Sequence, residues 1–399
     1  MPLVLMHMSE APVVLPTIGG ASPEAILQPR SLDELADILR RDDGITLLPM
    51  GGATQMQLGN APKIPFSIVD LARVQPVRIE HQTNDLTMVV SANATFGEIS
   101  AVLATAGQRL PLDPALSEQV TVGGLLAVGQ SGALRTRFGL PRDFVLGMTV
   151  MRPDGELVQA GGRVVKNVTG YDFMRLWTGS LGTLGITTEA AFRVLPSIET
   201  VDLCVDYEGD EALWKDAQAL SYGDIRPEIL DARPTEGGSW QVLLRVEAAA
   251  ETAATKLIGG CNRRRNDGAA YTSCRDFGFT TGDVLTLRLS TLPEHTLSTA
   301  EWIRTRLPMM QLLARPLVGQ VRATTTTPPA ADEFRPALTT LRAKVAPFQG
   351  AVVVERMPDD YRDNVETWGV APNMSLLQQV KRTFDPAGRL NAGRFCDGI

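Results

Sequence analysis

The sequence predicts an α+β protein built in two main parts and closed by a short tail. Three observations predict it. Glycine-rich blocks, spaced by short strands and capped helices, fill residues 28–196. Residues 198–350 lack such blocks and alternate short strands with helices. Glycine and asparagine then return together at 388–393, after a last helix. A length of 399 residues, at about 150 residues per domain, agrees with two or three domains and ample core.

Composition narrows the function. The net charge of −7 argues against a nucleic-acid binder, which carries a basic patch. The one basic run, Asn262-Arg263-Arg264-Arg265-Asn266, reads as a solvated loop. No stretch offers the ~18 consecutive apolar residues of a membrane span. The first residues, MPLVLMHMSEAPVV, carry no basic segment and an early Glu10, so they read as a loose extension rather than a signal peptide. Cys204, Cys261, Cys274 and Cys396 stand at no metal-ligand spacing, and His7, His81 and His295 are widely separated. Neither a metal nor an iron–sulfur cluster is expected in this chain.

The elements follow in order. Ser31-Leu32-Asp33-Glu34 is a capping box, in which the serine and the glutamate three residues on each satisfy an amide at a helix start. Leu32, Leu35, Ile38 and Leu39 recur on one face, so 32–41 is an amphipathic helix. Residues 45–49 read as a buried strand that runs into Met50-Gly51-Gly52-Ala53-Thr54. A strand ending in Gly-Gly can turn successive N–H groups onto one anion; an ordinary strand-to-loop turn has the same composition. Residues 66–71 and 86–92 are further strands, and Thr95-Phe96-Gly97-Glu98 is a second capping box, opening helix 96–106, which Gly107 closes. Leu110-Pro111-Leu112-Asp113-Pro114, Thr121-Val122-Gly123-Gly124, Gly129-Gln130-Ser131-Gly132 and Arg137-Phe138-Gly139 come next, then RDFVLG at 142–147. Residues 148–151 and 156–160, joined by Arg152-Pro153-Asp154-Gly155, form a hairpin.

In 160–186 glycine recurs at 161, 162, 170, 179, 182 and 185, too often for an element interior, where each costs about 0.5–1 kcal/mol relative to Ala. Asp172 is placed to cap a short helix at 172–178, worth about 0.3–1 kcal/mol. Gly182-Thr183-Leu184-Gly185-Ile186 is a hinge feeding a strand. Beyond Pro196, strands are expected at 240–246 and 284–289, helices at 210–220, 248–258 and 299–307, and a connector at TTTTPPAA, 324–331; no internal repeat is visible. A strand at 351–356 and a helix at 376–384, ended by Asp385-Pro386, lead to Gly388-Arg389-Leu390-Asn391-Ala392-Gly393-Arg394-Phe395.

The run KNVTGYDFMRLWTGSLGTLGI, 166–186, resembles the end of the FAD-binding domain of the vanillyl-alcohol-oxidase-like (PCMH-type) flavoproteins. Within them VVKNVTGYD is most similar to the FAD-binding E subunits of bacterial glycolate oxidases. The glycine blocks stand in the family's order over about 28–196, and FDPAGRLNAGR resembles the family's ending, with Ala392 in place of proline. The resemblance implies an N-terminal extension at 1–27, a two-subdomain PCMH-type FAD-binding domain at 28–196, a smaller mixed α/β cap at 197–370, and a C-terminal helix and tail at 371–399 packing back on the FAD domain.

It also implies FAD held non-covalently, because Ala53 stands where relatives with attached FAD carry histidine. The cofactor-binding residues it implies are Met50, Gly51, Gly52, Ala53, Thr54, Asp113, Thr121, Gly123, Gly124, Ser131, Gly132, Gly185, Ile186 and Asn391. The pyrophosphate is expected against 50–54 and 121–124 and the adenosine end near 185–186; Asn391 is either beside the isoalloxazine or a plain turn residue. The implied partners are a larger FAD-dependent D-type catalytic subunit and an iron–sulfur F-type subunit, in the cytoplasm, with peripheral attachment to the inner membrane through the complex. Catalytic subunits of the family use histidines, and residues 296–399 contain none. An accessory or electron-relaying role in oxidising glycolate is therefore the leading expectation, with no catalytic residue assigned. Arg322, Arg356 and Arg394 can anchor a carboxylate, or serve only as ion-pair members. Two alternatives stay open: a stand-alone FAD-dependent oxidoreductase for another hydroxy acid or alcohol, its base a Tyr, Glu355 or a His, and a flavin-free assembly scaffold.

Overall fold

The computed structural model describes residues 16–162, 171–266 and 268–399. The first fifteen residues of the extension, His7 among them, and 164–170 of the VVKNVTGYD run lie outside the described residues. Among the described residues no helix is long and apolar enough to cross a membrane.

The first half of the chain packs two small layers around a groove. One is a three-stranded parallel sheet, in the order Ile26–Leu27, Phe66–Asp70, Thr46–Met50. Its edge strand thus lies inside the segment expected to be an extension. Helix Leu32–Leu39 buries Leu35, Ile38 and Leu39 against it. Ser31 caps that helix by accepting from Glu34 N, while Glu34 reaches one residue further back, to Arg30 N, rather than closing the box on Ser31. The other layer is a five-stranded antiparallel sheet, in the order Ile79–Gln82, Thr87–Ser91, Ile186–Arg193, Val145–Met151, Leu157–Gly161. Helices Phe96–Thr105 and Val122–Val128 share its apolar core. The Thr95–Glu98 box is complete, and Asp172 caps helix Phe173–Trp177.

The cap is one eight-stranded antiparallel sheet, and its topology is a duplication that the sequence does not display. Strand Thr200–Tyr207, helix Asp210–Tyr222, strands Ile229–Pro234 and Trp240–Glu247, helix Glu251–Leu257 and strand Cys261–Arg265 make one βαββαβ unit. Strand Leu285–Ser290, helix Thr296–Arg306, strands Gln311–Arg315 and Gln320–Thr325, helix Ala331–Val345 and strand Ala351–Arg356 make a second. In each unit the sheet order is fourth, first, third, second strand, and the second strands meet edge to edge at Ala232 and Ala314. Such a repeat needs only the same alternation of strand and helix, so the two copies leave no shared residue pattern. The basic run falls in the exposed edge strand Cys261–Arg265, not in a loop, with Asn266 just past its end, and Thr324 and Thr325 finish a strand instead of opening the connector. An edge rich in arginine is one way to discourage pairing with another sheet.

Period-two alternation gives the cap sheet two distinct faces. Leu285, Leu287, Leu289, Val321, Ala323, Leu312, Ala314, Val352 and Val354 pack with the four helices. Arg288, Arg322, Arg315, Asp231 and Glu355 lie on the opposite face, where Leu313, Leu243 and Cys204 meet Ala133 and Leu134 of the first half. Arg109 adds a two-armed ion pair to the fully buried Glu228 of the cap, at 2.5 and 3.1 Å.

The tail returns to the first half as a strand-like segment. Leu390 bridges Leu47 in parallel, with Leu47 N donating to Arg389 O and Asn391 N to Leu47 O. Lys381, on the last helix Met374–Phe384, is buried and donates to Thr183 O, Leu390 O and Asp385 Oδ2 at 2.7–2.8 Å. Burial pushes the Lys381 ammonium below its ordinary range, against the pull of Asp385. Removing one partner of such a buried pair leaves an uncompensated charge. Asp385→Ala is expected to lower unfolding free energy by about 3 kcal/mol, read as a fall in the urea midpoint.

Candidate functional site

Three cavities run end to end along the groove. The first lies between the two layers of the first half, walled by Leu32, Leu35 and Pro49 on one side and by Trp177, Gly182 and Gly185–Thr188 on the other. The second is walled by the 51–56 loop, Asn391 and Arg394, and shares Gly51, Thr121 and Gly124 with the first. The third, of about 250 Å³, lies between the first half and the cap. Its first-half wall is Gln130, Ser131, Arg135 and Arg142, and its cap wall is Arg288, Gln320, Arg322 and Glu355.

Of the residues expected to bind the cofactor, Gly51, Gly52, Ala53, Thr54, Thr121, Gly123, Gly124, Gly185, Ile186 and Asn391 line the first two cavities, and Ser131 lines the third. Met50, Asp113 and Gly132 line none of the three. Met50 ends its strand against the core beneath the parallel sheet. Asp113 accepts from Leu134 N under the 132–134 turn, and a Cβ on Gly132 would sit 2.2 Å from Asp113 O. Both therefore shape the wall from behind.

The two glycine pairs differ in what their backbone offers. The N–H groups of Gly52, Ala53 and Thr54 find no acceptor among the described residues, and Ala53 adopts φ +56°, the left-handed turn that gathers amides into an anion-binding concavity. At 122–124 the amides are already spent: Val122 N on Ala94 O, Gly123 N on Ala92 O, Gly124 N on Thr121 Oγ1. That turn contributes closeness, not donors. Gly52 is required for packing, because a Cβ there would lie 1.8 Å from Gln119 O. Asn391, at φ +48°, donates from its side chain to Leu181 O, so it pins the tail to the loop before Gly182 as well as facing the cavity.

Further groups complete the groove: Trp177, which sequence reasoning did not name, and Arg394, Arg322 and Glu355, which it named as candidate carboxylate anchors or base. The indole N–H of Trp177, on the wall of the first cavity, is buried and has no hydrogen-bond partner among the described residues. Arg394 is 3% exposed and donates to the carbonyls of Met56, Leu58 and Asn60, with no carboxylate partner among the described residues. Burial, and then the charge of Arg362, lower its pKa to about 9. A cation so placed favours an anion in the second cavity. Arg322 faces the third cavity, whereas Arg356 donates to Thr280 O away from it. Glu355 Oε1 accepts from Arg288 Nε at 2.7 Å, and Glu355 Oε2 lies 3.1 Å from Arg322 Nη2. Burial alone would raise the Glu355 pKa, but the two guanidinium charges outweigh it and hold the carboxyl below its ordinary value. The same burial lowers Arg322 to about 10. His81 bonds Gln108 and His295 stacks on Phe348, so neither reaches the groove. Among the described residues no cluster of His, Cys, Asp or Glu is arranged for a metal.

Asp113 is 4% exposed, and burial raises its pKa to about 7 against the opposing charge of Arg315. The folded chain thus holds the Asp113 proton more tightly than the unfolded chain. Its contribution to stability is full below about pH 4, falls as pH rises towards 7, and is constant beyond. Asp113→Asn keeps an acceptor for Leu134 N without the charge. The variant is expected to match the parent in urea unfolding at pH 4 and to exceed it at pH 8, by on the order of 3 kcal/mol.

Comparison with known proteins agrees with this geometry. Residues 23–161 match the family model described as FAD binding domain. The chain is 40% identical to glycolate oxidase subunit GlcE of Escherichia coli (strain K12) over 119 residues, 30% of this chain and 34% of that protein. It is 29% identical to glycolate oxidase subunit GlcD of Bacillus subtilis (strain 168) over 212 residues, 52% of this chain and 45% of that one. The mitochondrial D-lactate dehydrogenase [cytochrome] of Arabidopsis thaliana is 31% identical over 186 residues, 46% of this chain and 32% of that protein. The chain thus aligns with less than half the length of each of these relatives. A solved structure of alkyldihydroxyacetonephosphate synthase superposes with a TM-score of 0.65 at 14% identity, covering 92% of this chain and 76% of that one, which establishes the shared fold. Residues 23–161 thus match an FAD-binding domain, and FAD is its cofactor.

Proposed function

We propose that this chain is the FAD-binding, accessory subunit of a complex that oxidises glycolate to glyoxylate. It is an E-type subunit working beside a FAD-dependent D-type catalytic subunit and an iron–sulfur F-type subunit. The likeness to GlcE supports the placement. The observation that carries the accessory role is Glu355. Among the described residues it is the one carboxylate on the walls of the cap cavity, and Arg288 and Arg322 hold it ionised and weakly basic. A group poised to take a hydroxyl proton needs a pKa near the working pH; this one is shifted the other way.

FAD supplies hydride acceptance when bound. The residues of this chain bind and orient. The free amides of Gly52, Ala53 and Thr54, with Arg394 beside them, hold the diphosphate of the cofactor. Trp177 Nε1 donates within the first cavity, towards the adenosine end near Gly185 and Ile186. Arg288 and Arg322 orient a carboxylate in the third cavity.

The purified chain is expected to show a bound-flavin absorption spectrum that stays oxidised under anaerobic glycolate and bleaches once the D-type and F-type partners are added. Bleaching by glycolate with the chain alone would overturn the accessory role and favour a stand-alone oxidoreductase; a flavin-free chain would favour the scaffold. Gly52→Ala, which forces the 51–54 loop off Gln119 O, is expected to weaken FAD affinity at least about tenfold, measured by flavin fluorescence on titration of the apoprotein.

A further inference from the structure

The third cavity carries more positive charge than one carboxylate needs. Four arginines, Arg135, Arg142, Arg288 and Arg322, face it against the single carboxylate of Glu355. On the cap wall Glu355 bridges Arg288 and Arg322, whose residues stand opposite one another on neighbouring strands. That wall is partly neutralised and keeps room for one anionic group. On the opposite wall Arg135, in the short helix Arg135–Phe138, and Arg142, seven residues on, make no ion pair among the described residues. The half-buried Arg135 is depressed below its ordinary pKa by burial and by the charges of Arg288, Arg315 and Arg142, as expected where cations lie close together.

A second feature marks the cavity as built for a ligand. Gln130 is 8% exposed on the first-half wall, and its amide oxygen accepts no hydrogen bond from the described residues. Leaving a buried acceptor unmade costs about 1–3 kcal/mol, and a ligand hydroxyl removes that cost. At about 250 Å³ the space is several times the ~30 Å³ share of one water.

We propose that this cavity takes a hydroxy acid with two anionic groups, one held by Arg288 and Arg322 and the other by Arg135 and Arg142, with its hydroxyl on Gln130. This rests on the reading of the cavity as the acid-binding end of the FAD groove. A monoanion such as glycolate, whose oxidation falls to the D-type subunit, leaves Arg135 and Arg142 on their wall without an anionic partner; a second carboxylate or a phosphate answers them. Arg135 and Arg142 are then the specificity-determining pair, and the cap arginines serve any 2-hydroxy acid alike.

The test titrates the FAD-loaded chain by calorimetry with D-lactate and with tartronate, in which a carboxylate replaces the lactate methyl, and then with D-malate. The dianions are expected to bind at least about tenfold more tightly at low salt, with the advantage narrowing in high salt as screening shortens the reach of the charges. Arg142→Gln, at an exposed position, and Arg135→Met are each expected to remove most of that advantage while lactate affinity stays within about twofold. Equal affinity for lactate and tartronate, or an advantage that survives both substitutions, would overturn the proposal. These outcomes are read as binding alone. They are separate from flavin reduction and partner association, which test the accessory role.

Discussion

The groove depends on the C-terminal tail. Its walls at 51–60 and 181–185 are irregular backbone, and buried main-chain groups outside helices and sheets need partners. The tail supplies partners there and in the neighbouring strand from five of the six residues 389–394. Arg389 donates to the carbonyls of Leu39, Arg41 and Ile45, Leu390 joins Leu47, Asn391 takes Leu181 O, Ala392 accepts from Lys63 N, and Arg394 takes Met56, Leu58 and Asn60. Lys381 ties the same segment to Thr183. A helix and a tail more than three hundred residues from the 51–54 loop therefore hold the segments on either side of it, and Asn391 and Arg394 share its cavity.

The cap is joined to the first half by charge as much as by apolar contact. One face of its sheet is an ordinary aliphatic core under four helices. The other face buries Arg315 with Asp231 and Arg322 with Glu355, and sets Arg109 of the first half against Glu228. Buried ion pairs are a poor source of stability, because desolvation takes back much of the Coulombic gain. Their use at this junction fits a surface that must stay polar next to an acid-binding cavity. Burial in the same region raises Asp113 towards 7 and depresses Arg135.

Much of the frame was legible in local sequence. Ser31, Thr95 and Asp172 each cap a helix through their side chains, because capping is a contact within four residues. The alternation of Leu285, Leu287 and Leu289 marks a strand with one buried face. The glycine blocks pointed to a groove, and most of the residues named from them do line it. Met50, Asp113 and Gly132 do not, since adjacency in a motif says nothing about which side of the wall a residue faces. The doubled βαββαβ cap was invisible for a related reason: strand order is decided by pairings between segments far apart in the chain.

The sequence by itself determined where helices start, which faces are apolar, and that tight glycine turns recur in a family order, because these depend on neighbours within a few residues. Only the tertiary structure decided that the amides of 52–54 are free while those of 122–124 are spent, and that Arg394 answers carbonyls instead of a carboxylate. It alone brought Arg135 and Arg142 to face Arg288, Arg322 and Glu355 across one cavity. Those facts are set by distance and burial between segments up to more than two hundred residues apart, and charge acts through space, not along the chain.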